Sequence, residues 1–309
     1  MNMHRRNFLL TAASLAAAPW TRRAILPAAY AAAGPLLLHA DMEVDSFQDY
    51  ESYGDATNLR LRSAGNAPEI SAETRRAGVR SARVHLNRLT SPTSYRTEAE
   101  ATGQWSSFEF QKTYWFGISI FVPATWVVSS TWEVLFQLHH RPDDWTDKHD
   151  FSPVLALRCN ANSDQWRLVQ SYVQTPDGAQ QQSDLKTAFD GMHGQIEKER
   201  WTDWVFEYRP DWRNLADGGT GVTRIWRDGV RVVNYQGPNC VNNSRGPYIK
   251  FGCYKSAWKD RSFDDPVKER IYFYDEFRVS RADEGSYDAV SPGGEADRRP
   301  LAPVLREVT

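Results

Sequence analysis

Cysteine is scarce in this chain. Three residues, Cys159, Cys240 and Cys253, stand among 309, so no disulfide framework can carry the fold, and the odd number leaves at least one thiol unpaired within a single chain. Their spacings match no zinc motif. Cys240 could pair with Cys253 across a loop, but three small core residues is the favoured arrangement. An excess of charge is also missing. Lys and Arg number 37 against 39 Asp and Glu, a formal net charge of −2, which argues against bulk nucleic-acid binding while leaving room for a local basic groove. After the N-terminal segment no long uncharged apolar stretch occurs, so membrane insertion is not expected. Helical periodicity is nearly absent. The best candidate, Asp184 to Glu199, is weakened by Gly191 and Gly194. No βαβ alternation is visible, which removes the α/β classes.

What the chain has in quantity is aromatic residues. They make up 13% of it, with 12 Trp and 13 Tyr, and such residues favour strands and suit the flat faces of sugars. The N-terminus carries Arg5-Arg6 before Phe8, Leu9 and Leu10, then an Ala-rich run with small-residue sites at Ala29-Tyr30-Ala31 and Ala31-Ala32-Ala33. This pattern resembles a twin-arginine export signal over residues 1–33, so periplasmic or extracellular delivery is expected. From about Leu36 to Val279 short strand patterns follow one another between turn residues. Arg227-Asp228-Gly229-Val230 carries an Asp-Gly hairpin signal. Many strands and few helices predict an all-β fold, a sandwich of two antiparallel sheets, over 34–284. The Pro-, Gly- and charge-rich stretch 285–309 is expected to be a flexible tail. A monomer is expected.

Strand period selects candidate functional residues, because residues two apart share a face. In Trp132 to His139, the residues Trp132, Val134, Phe136 and Leu138 read as the core face, leaving Glu133, Leu135, Gln137 and His139 opposite. In Tyr248 to Ser256, Ile249, Phe251 and Cys253 alternate with Tyr248, Lys250, Gly252, Tyr254 and Ser256. A glycine inside a strand marks close approach by another chain or a ligand. Arg96 and Glu98 share a face of a third segment. Each pair alone is as well explained by a solvated sheet surface or a structural ion pair.

Taken in order, Arg96-Thr97-Glu98, Gln137-Leu138-His139 and Tyr248-Ile249-Lys250-Phe251-Gly252-Cys253-Tyr254 resemble the motif set of jelly-roll polysaccharide lyases, nearest the glucuronan lyase and heparin lyase group, with the alginate lyases of that fold more distant. The resemblance implies a β-jelly roll with a concave substrate groove. It also implies β-elimination on an acidic, uronate-containing polysaccharide, with glucuronan the first expectation and heparin-like or alginate-like chains behind it. It implies Arg96 and Gln137 neutralising the uronate carboxylate, His139 as base and Tyr254 as acid, with Tyr254 serving both roles as the alternative. Lys250, Glu98 and Tyr248 would bind substrate. His140 reads as structural. No cofactor is required for this chemistry.

A structural calcium is the one metal considered. Asp275 falls on the apolar face of Ile271 to Val279, and an unpaired buried carboxylate is costly. Glu43 or Asp45 could join it around calcium, while a hydrogen-bonded Asp at a strand end explains it equally well. Two rival functions share the fold: a non-catalytic lectin or carbohydrate-binding jelly roll, and a sandwich-fold glycoside hydrolase. The hydrolase is disfavoured because no Glu-x-Asp-x-x-Glu pattern supplies its closely spaced carboxylates.

Overall fold

The computed structural model describes residues 37–52, 61–90, 95–103, 106–143, 151, 153–280 and 282–292, all within one unit, 34–309. The export segment lies outside the described residues. The strands are β1 (Leu37–Ala40), β2 (Leu61–Gly65), β3 (Glu69–Ser71), β4 (Ser81–Asn87), β5 (Arg96–Ala101), β6 (Tyr114–Phe121), β7 (Glu133–His139), β8 (Leu155–Cys159), β9 (Gln165–Tyr172), β10 (Lys186–Gln195), β11 (Trp201–Arg209), β12 (Val222–Arg227), β13 (Val230–Gln236), β14 (Tyr248–Tyr254) and β15 (Glu269–Ser280). Two short helices, α1 (Gln48–Ser52) and α2 (Tyr287–Val290), accompany them.

The strands form two antiparallel sheets, as the alternating pattern requires. One runs β13-β12-β11-β6-β15-β4-β3, with β1 also paired to β15; the other runs β10-β9-β8-β7-β14-β5-β2. The core lies between them. Phe116 on β6 stacks on Phe136 of β7 with ring centroids 5.6 Å apart, and Phe136 meets Phe206 of β11 at 4.7 Å. Phe251 of β14 packs on Phe277 of β15 at 4.9 Å. Burying side chains of this size contributes roughly 1.5–3 kcal/mol each, so the facing aromatic rows account for much of what holds the sheets together.

Local chemistry explains several turns. Asp228 and Gly229 both take positive φ, 48° and 82°, so they form the tight hairpin joining β12 to β13 that the Asp-Gly signal predicts. Gly252, with φ 131°, lies where a Cβ would come 2.3 Å from the Thr97 carbonyl oxygen. The close approach marked by this glycine is therefore that of β5. All three cysteines are buried and unpaired, and burial pushes their thiols up, which makes them inert core residues.

Two expectations are corrected. The segment from Asp184 to Glu199 is not helical but contains β10, paired along β9 with register shifts between Thr187 and Phe189 and between Met192 and Gln195. In β7 the register shifts between Val134 and Phe136. That bulge reverses the alternation, so Leu135 joins Phe136 in the core and Glu133 turns inward. The tail also differs from expectation at its start, because α2 packs on the first sheet. Val290 is fully buried, and Arg278 donates to the Ser291 carbonyl at 2.7 Å.

Candidate active site

The three motifs converge on one face. Strands β7, β14 and β5 are consecutive neighbours in the second sheet. The ladder sets Tyr248 against His139, Lys250 against Gln137 and Glu100, Gly252 against Glu98, and Tyr254 against Arg96. Thr97, Ala99 and Ala101 occupy the core side of β5 and Ile249, Phe251 and Cys253 the core side of β14. The motif side chains consequently point away from the core. They are nonetheless mostly covered: Glu98, Gln137, Tyr248 and Lys250 are all buried. An outward face whose polar residues are buried is the floor of a recess rather than an open sheet surface.

Glu98 is the organising residue. Its Oε2 lies 3.1 Å from Arg96 Nε, and its Oε1 accepts a hydrogen bond from the Gln137 amide. One buried carboxylate therefore fixes both the guanidinium and the amide. Burial pushes the Glu98 carboxyl above its ordinary value, opposed by Arg96, Lys250 and the Gln137 hydrogen bond. Arg96 in turn lies against Tyr254, its Cζ 4.6 Å from the ring centre. Lys250 Nζ sits 3.6 Å from Glu100 Oε2 and 5.3 Å from the Tyr248 ring centre. Burial, reinforced by Arg96, holds the ammonium below the usual lysine value despite Glu98 and Glu100.

His139 stands at the other end of the block. Its Nδ1 is 2.8 Å from the His140 carbonyl oxygen. A carbonyl only accepts, so Nδ1 carries the proton and the basic lone pair of the neutral ring is at Nε2. The ring leans on His140, with centroids 4.9 Å apart, and meets Tyr248 at 5.7 Å. His140 itself is buried against Phe151; burial, then His139, lowers its pKa to about 3. Held so, the ring stays neutral. Tyr248 is buried, and burial raises its phenol well above the usual range.

Tyr254 and His139 share the face without being neighbours. Tyr254 is opposite Val134, five positions along β7 from His139, or roughly 16 Å between backbones at about 3.3 Å per residue. Gln137 and Lys250 lie between them. Arg96, Glu98, Gln137 and Tyr254 thus form one connected group, while His139 and Tyr248 form a second.

Sequence reasoning missed three residues here. Glu100 joins Lys250 to Arg62, and the two-residue step from Glu98 would have revealed it. Lys259 Nζ lies 5.4 Å from the Tyr254 ring centre, and Arg141 Cζ lies 5.9 Å from that of Tyr248; Lys259 ends a short 3-10 turn and Arg141 follows β7 in a loop, and no strand period reports either.

The three carboxylates considered for calcium are each held by N–H donors. Asp275 accepts backbone N–H groups of Arg76, Ala77 and Glu276 at 2.7, 3.1 and 2.7 Å. Glu43 accepts those of Val79 and Arg80 at 2.8 and 2.9 Å, and Asp45 pairs with the Arg80 guanidinium at 2.7 Å. Among the described residues no three His, Cys, Asp or Glu side chains group to hold a metal. Asp275 stands in the middle of β15, where the register shifts between it and Arg278.

Comparison with known proteins follows the same lines. The model of the polysaccharide lyase family matches residues 45–278. Among solved structures, an endo-β-1,4-glucuronan lyase from the fungus Trichoderma reesei superposes with TM-score 0.60 at 14% identity, covering 78% of this chain and 96% of that one. A family 7 alginate lyase in complex with product aligns more weakly, with TM-score 0.45 and 13% identity over 70% of this chain and 83% of that one. No curated protein sequence matches. The likeness to the fungal structure is one of fold, the two-sheet jelly roll. Among the described residues no helix is long and apolar enough to cross a membrane.

Proposed function

Because the chain belongs to the polysaccharide lyase family, matched across most of its sandwich, we propose that it cleaves an acidic, uronate-containing polysaccharide by β-elimination at the face formed by β5, β14 and β7. Membership sets aside the lectin and hydrolase alternatives. The observation that carries the uronate assignment is the Arg96–Glu98–Gln137 array. A uronate C5 proton is weakly acidic while the neighbouring carboxylate is charged. Arg96 and Gln137, both fixed by Glu98, present a cation and an amide donor that would neutralise that carboxylate as the enolate develops. The fungal relative is a glucuronan lyase by name, and glucuronan is the first substrate to test.

Tyr254 is assigned as the group that protonates the C4 oxygen as the C4–O bond breaks and the C4=C5 bond forms. It also removes the C5 proton, entering the step as the phenolate and leaving it as the phenolate once the C4 oxygen is protonated. In the glucuronate configuration the C5 hydrogen and the C4 oxygen lie on the same side of the ring, so one oxygen can take the proton and return it. Arg96 against the Tyr254 ring meets the negative charge that passes through the phenol oxygen. A second reading keeps His139 as base, with Tyr254 as acid only. It is favoured by the Nδ1 contact to the His140 carbonyl, which leaves the lone pair on Nε2. Under the first reading His139→Ala keeps most of the turnover. Under the second it loses a factor of about 10² or more.

A panel of glucuronan, heparin-like and alginate chains, followed by ultraviolet absorbance of the unsaturated uronate product, tests the function. Methyl esterification of the cut polymer should slow the wild type, because the ester removes the charge that Arg96 meets. No absorbance from any polyuronate would overturn the assignment. Export through the Arg5-Arg6 signal belongs to the same proposal, as does a reaction that draws on side chains of this face alone.

A further inference from the structure

Arg158 is a cation on this face that no carboxylate touches among the described residues. Register carries a single rung across the second sheet: Arg96 faces Tyr254, Tyr254 faces Val134, Val134 faces Arg158 and Arg158 faces Arg167. Leu157 and Cys159 on β8 belong to the core, so Arg158 projects to the same side as Tyr254. Three basic residues along this rung and the next are compensated. Arg96 has Glu98, Lys250 has Glu100, and Arg167 grips Asp190 through both Nε and Nη2. Arg158 has no carboxylate within ion-pair distance among the described residues. Its Nε is buried without a hydrogen-bond partner, and its Cζ lies 4.6 Å from the Trp132 ring centre. Burial first, then Arg167, depresses its pKa, opposed by Asp190, which Arg167 already holds. A half-buried cation with no carboxylate in contact is costly, and its indole support holds the planar fork ready for one.

We propose that Arg158, propped on Trp132, binds the carboxylate of a second uronate on the same glycan chain, two strands from Tyr254. The proposal rests on the uronate lyase reading and extends it from one sugar to a run of them. Two inter-strand steps of about 4.8 Å place Arg158 roughly 10 Å from the Tyr254 position. A pyranose step along a 1,4-linked chain is close to one inter-strand step. A glycan crossing the strands along this rung would therefore reach Arg158 about two sugars from the scissile bond. Arg suits the task because its fork takes both carboxylate oxygens. The enzyme so built selects polymers bearing uronates at successive positions over chains with isolated ones.

The test uses the full chain, wild type and Arg158→Gln, on the polyuronate that the panel shows to be cut and on its oligosaccharides of increasing length. The expected result is a KM raised about ten-fold on the polymer, with the loss falling on KM rather than kcat. The penalty should shrink on oligomers too short to reach from Tyr254 to β8. Arg158→Lys, which keeps the charge without the fork, should fall between the two. Thermal melting of each variant separates this from a structural role as cover for Trp132, which would lower stability and leave the length dependence of KM unchanged. A wild type that cuts the polymer while Arg158→Gln shows the same KM at every length overturns the subsite and leaves the lyase reading standing. A wild type that cuts no polyuronate overturns both.

Discussion

Replacing Glu98 by Gln tests how the site is organised. The change keeps the shape and one acceptor oxygen but removes the charge that holds Arg96 and offsets Lys250. The Glu98 side chain is 1% exposed and that of Arg96 28%. Breaking a fully buried ion pair from one side costs about 3–5 kcal/mol. Here Arg96 can still turn toward water and Gln137 keeps an acceptor, so about 2–3 kcal/mol is expected. At about 2–4 °C per kcal/mol for a domain of this size, the melting temperature should fall by roughly 5–10 °C. Turnover should fall further than stability implies. Both carboxylate-neutralising groups lose their shared anchor, and a displacement of about 1 Å at a reacting site costs on the order of 10² in rate. Melting followed by circular dichroism and initial rates by ultraviolet absorbance, both well below the transition, measure the two effects separately. A Glu98→Gln protein with wild-type melting and wild-type rate would refute the reasoning.

Three further outcomes are expected. Glu133 is buried among Arg270, Lys255 and Tyr272, its Oε2 2.7 Å from Arg270 Nε and 3.4 Å from Lys255 Nζ. Burial pushes its carboxyl up, but the two cations outweigh it and hold it below the usual range; Glu133→Gln should therefore cost about 3–5 kcal/mol by denaturant unfolding while leaving KM unchanged in whatever folds. Burial raises the Asp275 carboxyl to about 7, against its three backbone donors. A raised folded value means that its contribution is complete below the unfolded value of 3.8 and is lost as pH rises through 7, at most about 4 kcal/mol in all, so melting temperature should decline across that window in the wild type and decline less in Asp275→Asn. Replacing Arg5 and Arg6 by Lys should trap precursor inside the cell, detected by fractionation and blotting; normal export of the double variant would exclude the twin-arginine route.

Strand alternation made much of the site legible. Lys250, Gly252 and Tyr254 share a face because β14 keeps a regular two-residue period against β5, and the same holds for Arg96 and Glu98. Alternation failed where the backbone bulges. The register shift in β7 turned Glu133 inward and left Trp132 beside Arg158 on the outer side, the reverse of the simple pattern, because one extra residue exchanges the faces. The buried Glu133–Arg270–Lys255 group draws on β7, β15 and a loop, and no local period connects such distant segments. The separation of His139 from Tyr254 had the same origin. Both point outward, but only the pairing of β14 with β7 shows that Lys250, not Tyr254, lies against Gln137. The strand β10 was hidden by its bulges, and its exposed, glycine-containing sequence gave no buried face to count.

The most direct test of the account is the rate of unsaturated uronate formation by Tyr254→Phe. The substitution removes one oxygen and leaves the ring against Arg96 and Tyr95, so folding should be retained. Under the proposed mechanism that oxygen moves the proton on and off the sugar, and the ultraviolet signal should fall by a factor of at least about 10² to 10⁴, with melting temperature close to wild type. A folded Tyr254→Phe protein that forms the unsaturated product at the wild-type rate would contradict it.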